Sequence, residues 1–121
     1  MATSTRLTHG LSQGVLAELQ AVFARYPAVE QVLLFGSRAS GFARPGSDID
    51  LAVIAPGMSS REFSRLWNEL EDLPLVYTLD LLHWNQLTQE ALKAKIRKEG
   101  KVVYTAHRQG RRERVEVENR E

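Results

Sequence analysis

The chain lacks several features that would place it in other classes of protein. It contains no cysteine, so neither a disulfide framework nor thiol chemistry is available to it. No apolar run is long enough to span a membrane, and the N-terminus does not resemble a signal peptide. We therefore expect a cytoplasmic protein without a membrane partner.

The chain also lacks an excess of charge of either sign. Its 16 basic residues are nearly balanced by 15 acidic ones, which leaves a formal net charge of +1 and gives no general argument for direct nucleic-acid binding. A length of 121 residues suits one domain with a hydrophobic core. It leaves no room for an elaborate substrate module.

Two aspartates stand at the start of an apolar segment, residues 48–55, which predicts a buried strand. Side chains two apart share a face of a strand, so the carboxylates of Asp48 and Asp50 should lie roughly 5–7 Å apart. At that distance they repel each other by about 3 kcal/mol at an effective dielectric constant of about 20. Mg²⁺ would offset this repulsion, because it binds one or two protein carboxylates and completes its shell with phosphates and water.

A glycine-serine turn precedes this pair. Gly36 and Ser37 follow the apolar run 32–35, a second predicted strand, and ten residues separate Ser37 from Asp48. Glycine lets the backbone approach a ligand, and the N–H groups that open a helical turn attract anions. We expect this turn to bind the β and γ phosphates of a nucleotide, with Arg38 reaching either a phosphate or a structural acid. Average residue usage produces the combined pattern by chance about once in a thousand chains of this length.

A third acid, Asp80, lies in the leucine-rich segment 74–82, which predicts another buried strand. An ionised aspartate is unfavourable there unless it is paired or bound to metal, so Asp80 is expected at the site. The alternative is a core acid that pairs with an arginine or a backbone amide. Glu71 and Asp72 are weaker candidates, because they stand at a helix end.

Residues 32–54 resemble the signature of the polymerase-beta-like nucleotidyltransferase superfamily, and more narrowly the minimal nucleotidyltransferases of prokaryotes. That signature is Gly-Ser, ten residues, Asp-X-Asp and an acid on a later strand. The resemblance implies an α/β (α+β) fold, with a mixed β-sheet flanked by helices. It also implies that Asp48, Asp50 and Asp80 are catalytic and hold Mg²⁺, and that Asp80 can deprotonate the attacking hydroxyl.

The resemblance further implies transfer of a nucleoside monophosphate, here AMP from ATP or another NTP, to a hydroxyl. Short members of the family are commonly paired with a helical HEPN-type ribonuclease toxin, which they silence as antitoxins. We expect a toxin of this type as partner and acceptor. One alternative is an inhibitor that only binds the toxin, against which the intact Asp48 and Asp50 argue. The other is an enzyme that modifies a small molecule such as an aminoglycoside, against which the short chain argues.

The remaining pattern predicts three regions: a flexible N-terminus (1–11), the nucleotidyltransferase domain (12–105) and a charged C-terminal tail (106–121) that either orders on a partner or stays solvated. Ser12 should cap a first helix that ends at Pro27.

Two further helices complete the prediction. Ser59 and Glu62 form the capping box of the second helix, and the third runs from about Gln86 to Lys98. His83 and Trp84 either close the core or flank the nucleotide. The cations at 93–98 either complement the helix dipole or bind phosphate.

Overall fold

In a computed structural model of the chain, the structure describes residues 7–8, 11–36, 48–75 and 77–106. The helices and strands of these residues are, in chain order, β1 (Leu7–Thr8), β2 (Leu11–Ser12), α1 (Gln13–Ala24), β3 (Gln31–Phe35), β4 (Ile49–Ile54), α2 (Ser60–Glu71), β5 (Leu79–His83), a 3₁₀ turn (Trp84–Gln86), α3 (Glu90–Glu99) and β6 (Lys101–Thr105).

Four of the strands form a mixed sheet in the order β5-β4-β3-β6. The central strand β3 runs antiparallel to both of its neighbours, β4 and β6, whereas β4 and β5 are parallel. The predicted α+β architecture, a mixed sheet flanked by helices, is confirmed. The parallel pair matters for function, because it places the starts of β4 and β5 side by side.

One face of the sheet is the apolar face that builds the core. In β4 the alternate residues Ile49, Leu51 and Val53 are fully buried, as the two-residue period predicts. They belong to one cluster with buried side chains of α1 and α2, among them Phe23 and Leu66. The intervening positions of β4, including Asp50, therefore point to the opposite face.

The helix starts confirm the predicted caps. The Ser12 hydroxyl accepts a hydrogen bond of 3.2 Å from the Val15 N–H at the start of α1. In α2 the Ser59 hydroxyl accepts from the Glu62 N–H, and the Glu62 carboxylate accepts from the Ser59 N–H, each at 3.1 Å. The first helix ends at Ala24, earlier than predicted, since the residue before Pro27 is sterically disfavoured in a helical conformation.

Two predicted boundaries are wrong. The strand predicted over 74–82 begins only at Leu79, where its pairing with Ile49 of β4 starts; none of the described residues before it, 74–75 and 77–78, belongs to a strand. The third helix begins at Glu90 instead of Gln86. A 3₁₀ turn precedes it, in which the Asn85 side chain accepts a 2.8 Å hydrogen bond from the Ala55 N–H.

At the termini, the short strand β1, which falls in the segment predicted to be flexible, pairs with β2. Ala106 begins the predicted charged tail, and residues 107–121 lie outside the described part of the chain. Of the helices in the described ranges, none combines the length and apolar character needed to cross a membrane.

Candidate active site

Two of the three predicted acidic residues face each other across neighbouring strands. Asp50 of β4 and Asp80 of β5 are direct partners in the parallel register, and adjacent strands lie about 4.8 Å apart. Asp48 stands just before β4 and is exposed. It shares the side of Asp50 by the two-residue period. The sheet therefore brings together all three acids, which are 32 positions apart in sequence at their widest, between Asp48 and Asp80.

The exposure of Asp80 overturns the argument that selected it. The side chains of Leu79 and Leu81 are 7% and 3% exposed, whereas Asp80 between them is exposed to solvent. In β5, the outer strand of the sheet, Leu79 and Leu81 point to the core and Asp80 points to the opposite face, which is exposed at this position. The expectation that Asp80 carries a buried charge is therefore wrong, and so is the alternative that it is an acid of the core.

The cluster is electrostatically unfavourable as it stands. Burial, followed by the charges of Asp80 and Asp48, raises the pKa of the Asp50 carboxyl above its ordinary value. Within the described ranges no cationic side chain forms an ion pair with any of the three acids. The carboxylates thus have the electrostatic environment of a site that attracts a cation.

Gly36 connects the glycine turn to these acids. Its φ of +79° lies in the left-handed region, and a Cβ placed on it would stand 2.5 Å from the Oδ2 of Asp50. The contact follows from the register, because Phe35, the preceding residue, is paired with Asp50. Glycine is therefore required at this position for both its backbone conformation and its lack of a side chain. Ser37 and Arg38, predicted to bind phosphate, lie outside the described residues.

The donor set fits a divalent cation that is shared with a substrate. In the described part of the chain no three His, Cys, Asp or Glu side chains are grouped closely enough to hold a metal ion by themselves. Mg²⁺ does not need such a cage, because it usually binds one or two carboxylates and keeps water and substrate phosphates as its other ligands. Asp48 and Asp50, with Asp80 beside them, provide oxygen ligands of the required kind.

His83, predicted either to close the core or to flank the nucleotide, belongs to the core. Its ring stacks on Phe63 of α2 with centroids 5.0 Å apart and planes 9° from parallel. Its Nε2 lies 3.1 Å from the carbonyl oxygen of Ala55. These contacts fix the end of β5 and keep the His83 ring away from a nucleotide at the acids.

Trp84 is also remote from the acids. Four residues of a strand, the separation of Asp80 from Trp84, span about 13 Å. The Lys93 ammonium and the Arg97 guanidinium lie 5.2 and 5.3 Å from the centre of the Trp84 ring, within the range of cation–π attraction. These two cations therefore stabilise the packing of α3 on the 3₁₀ turn.

Sequence reasoning missed the direct pairing of Asp50 with Asp80 and the contact of Gly36 with Asp50. The first is a register relation between strands separated by α2, for which no local signal exists. The second had a partial signal, a glycine at the end of a predicted strand, but nothing local identified the atom it approaches.

The sequence of the chain is similar to a known protein family. The family model described as Polymerase beta, Nucleotidyltransferase matches residues 17–109. No curated protein matches the sequence significantly.

Solved structures show the same fold. A chain of a toxin–antitoxin crystal structure with AMP-PNP is 23% identical, with a TM-score of 0.61 and coverage of 83% of this chain and 75% of that one. A chain of a mutant of the toxin–antitoxin MntA-HpeT is 21% identical, with a TM-score of 0.60 and coverage of 83% of this chain and 75% of that one. A chain of the complex of the tri-AMPylated HEPN toxin of Shewanella oneidensis with MNT antitoxin is 21% identical, with a TM-score of 0.59 and coverage of 78% of this chain and 72% of that one. The structural similarity establishes a common fold, and at identities this low it establishes the fold alone.

Replacing Asp50 by Asn should raise the melting temperature of the metal-free protein at neutral pH. The raised pKa of Asp50 means that its ionised form opposes folding, and the amide removes that charge at nearly unchanged shape. Relief of one like-charge pair in a sheet is worth up to about 1 kcal/mol, or a few degrees for a domain of this size.

Calorimetry across a pH series checks this result. The gain should shrink as the pH falls through the raised pKa, because the parent carboxyl is then neutral as well. Glu18→Gln, at an exposed acid in the middle of α1, is the matched control and should show no comparable gain. A melting temperature of Asp50→Asn at or below that of the parent at neutral pH contradicts the proposed repulsion.

Gly36→Ala should destabilise the fold by about 1–2 kcal/mol, the usual cost of placing an L side chain in the left-handed region, with an added cost from displacing the Asp50 carboxylate. Gly57→Ala is the control, since a Cβ at Gly57 meets no atom within 4 Å. Urea unfolding of both variants measures the difference. Equal stability of the two variants would remove the assigned role of Gly36.

Proposed function

The chain belongs to the polymerase beta nucleotidyltransferase family, and from this premise we propose that it transfers AMP from ATP to a hydroxyl of a HEPN-type toxin, in a metal-dependent reaction, and so acts as an antitoxin. It is a nucleotidyltransferase, and the donor, the acceptor and the metal are the proposed parts. The observation that carries the proposal is the register pairing of Asp50 with Asp80 beside Gly36.

The donor and the acceptor are supported by what the similar structures contain. One is a toxin–antitoxin pair with AMP-PNP, an analogue of ATP. Another contains a HEPN toxin that has been AMPylated three times, in complex with its MNT antitoxin. The fold shared with these structures and the acidic cluster of this chain support transfer of AMP to a protein hydroxyl as the reaction of the present chain.

The proposed chemistry assigns one task to each part of the site. Mg²⁺ bound by Asp48 and Asp50 would neutralise charge on the phosphates of ATP. Asp80, exposed next to Asp50, accepts the proton of the acceptor hydroxyl as its oxygen attacks the α-phosphorus. The bond from that phosphorus to the bridging oxygen breaks, pyrophosphate leaves and AMP remains on the acceptor.

The phosphate side of the site depends on the glycine turn. Gly36 takes the left-handed conformation directly after β3, and its missing side chain leaves room for the Asp50 carboxylate. We assign to Ser37 a hydrogen bond to the β or γ phosphate and to Arg38 a contact with a phosphate or a structural acid. These groups would orient ATP with its α-phosphorus towards Asp80.

Incubation with Mg²⁺, ATP and the HEPN-type toxin proposed as the partner should add about 329 Da per AMP to that toxin, by the transfer reaction above. The double variant Asp48→Asn/Asp50→Asn should add none, and Glu18→Gln, at an exposed acid of α1, should transfer normally. Intact-mass spectrometry makes the measurement. Growth rescue by the double variant as complete as that by the parent would show inhibition by binding alone, and no transfer by the parent would overturn the proposed reaction.

Asp80→Asn should retain ATP affinity while transfer falls by about 10²–10⁴-fold, the usual contribution of a general base. Asp80 would contact the acceptor hydroxyl and not the nucleotide, so its replacement should lower the rate of transfer without lowering the affinity for ATP. Equilibrium titration with ATP and single-turnover transfer measure the two quantities. Unchanged turnover would show that Asp80 is not the base.

A further inference from the structure

An apolar groove of about 580 Å³ lies between α1 and β6, at the edge of the sheet opposite to β5. The helix contributes three exposed alanines to its lining, Ala17, Ala21 and Ala24. The strand contributes Val102, which at 50% is the only exposed large apolar side chain among the described residues. The groove therefore has room to bury further apolar side chains.

The strand beside the groove has a free edge. Within the described ranges β6 pairs with β3 alone, and an edge strand presents N–H and C=O groups to which another strand can bond. Val103 has no partner in β3, and its carbonyl oxygen accepts a 2.9 Å hydrogen bond from the side-chain amide of Gln20, in the lining of the groove. A helix beside a free strand edge suits an extended segment that binds by strand addition.

The chain itself continues from this groove. Thr105, the last residue of β6, lines it, and the Ala106 N–H donates a 2.9 Å hydrogen bond to the carbonyl oxygen of Glu30. Residues 107–121 follow and include the segment 114–118, Arg-Val-Glu-Val-Glu. Its alternation of valine with charged residues is typical of a strand with one apolar face.

We propose that residues 114–118 return antiparallel to β6 and form a fifth strand of the sheet, with Val115 and Val117 buried in the groove against the alanines of α1. The segment matches β6 in length, at five residues. Because a parallel connection needs about a dozen or more residues, the stretch 107–113 is long enough only for an antiparallel return.

The charges of the segment agree with this arrangement. When the two valines face α1, the side chains of Arg114, Glu116 and Glu118 point to the opposite face, since neighbouring residues of a strand alternate. Antiparallel pairing also brings the Glu118 end of the segment to the start of β6, where Lys101 is exposed. Opposite charges on neighbouring strands are favourable.

Tethering favours this segment over other occupants of the groove. A short flexible connection gives an effective concentration on the order of millimolar. A second copy that paired edge to edge through β6 would have to displace the continuation of both chains after Ala106. The match to the family model ends at residue 109, so the segment is a feature of this chain outside the matched region. The added strand would close an edge that is otherwise open to other chains.

Hydrogen–deuterium exchange of the whole chain tests the proposal. The amides of 114–118 should exchange at least about tenfold more slowly in the parent than in Val115→Ser/Val117→Ser, because the variant loses two buried valines. The matched control is Arg114→Ser/Glu116→Ser, which alters the opposite face and should keep the protection. The amides of β4, which contributes nothing to the groove, should exchange alike in all three proteins.

A second variant tests the groove from the side of the helix. Ala21→Arg, at an exposed position of α1 in the lining, should displace the valines and remove the protection of 114–118. Glu18→Arg, at an exposed position of α1 outside the lining, is its control and should leave the protection in place.

Three results would overturn the inference. The first is unprotected exchange of 114–118 in the parent, or equal exchange in the parent and the valine variant. The second is protection that appears only as protein concentration rises, with a doubled mass by light scattering, because a second copy then occupies the edge. The third is protection that appears only when the HEPN-type toxin is bound, because the segment then orders on that partner.

Discussion

The juxtaposition of two carboxylates on neighbouring parallel strands is the constraint on which this molecule depends. Asp50 and Asp80 are in register, and burial, followed by repulsion from Asp80 and Asp48, raises the pKa of Asp50. No local interaction would hold them together. They stay adjacent because the residues that alternate with them, Ile49, Leu51, Leu79 and Leu81, are buried in the core shared with α1 and α2. The apolar face of the sheet thus stabilises an arrangement that its polar face opposes.

The same division explains why the site tolerates its own charge. One face of the strands carries the stability, through cooperative burial of aliphatic side chains. The other face, at the start of β4 and β5, is free to hold groups that function requires and folding does not. A second constraint lies there, since the left-handed conformation of Gly36 and the room it leaves for the Asp50 carboxylate are both open only to glycine. Such local conflicts are typical of functional sites, where the surrounding structure supports them.

The candidate site and the contacts that hold β5 to the helices lie at opposite ends of the sheet. One end of the sheet carries the acids at the starts of β4 and β5, and Gly36 directly after β3. The opposite end carries His83 stacked on Phe63, and Trp84 under the cations of α3, which tie β5 to the helices. Membership of the polymerase beta nucleotidyltransferase family agrees with this arrangement. Chemistry at one end and packing at the other let a small domain combine a charged site with a stable frame.

The sequence by itself determined the features that depend on near neighbours along the chain. The apolar alternation of β4, the shared face of Asp48 and Asp50, the caps at Ser12 and Ser59, and the family signature were all readable, because each involves residues a few positions apart. The α+β class followed from these elements and the resemblance.

Only the tertiary structure decided how distant elements meet. The pairing of Asp80 with Asp50 and the clearance of Gly36 over Asp50 depend on strand register, which is set by packing between segments far apart in sequence. The exposure of Asp80 depends on which face of β5 packs on the core, whereas a leucine-rich segment considered alone suggests a strand buried on both faces. The sequence alone also did not determine whether Trp84 lies at the same end of the sheet as the acids, because this too depends on packing between distant segments. Local sequence selects the elements, and long-range packing chooses their neighbours.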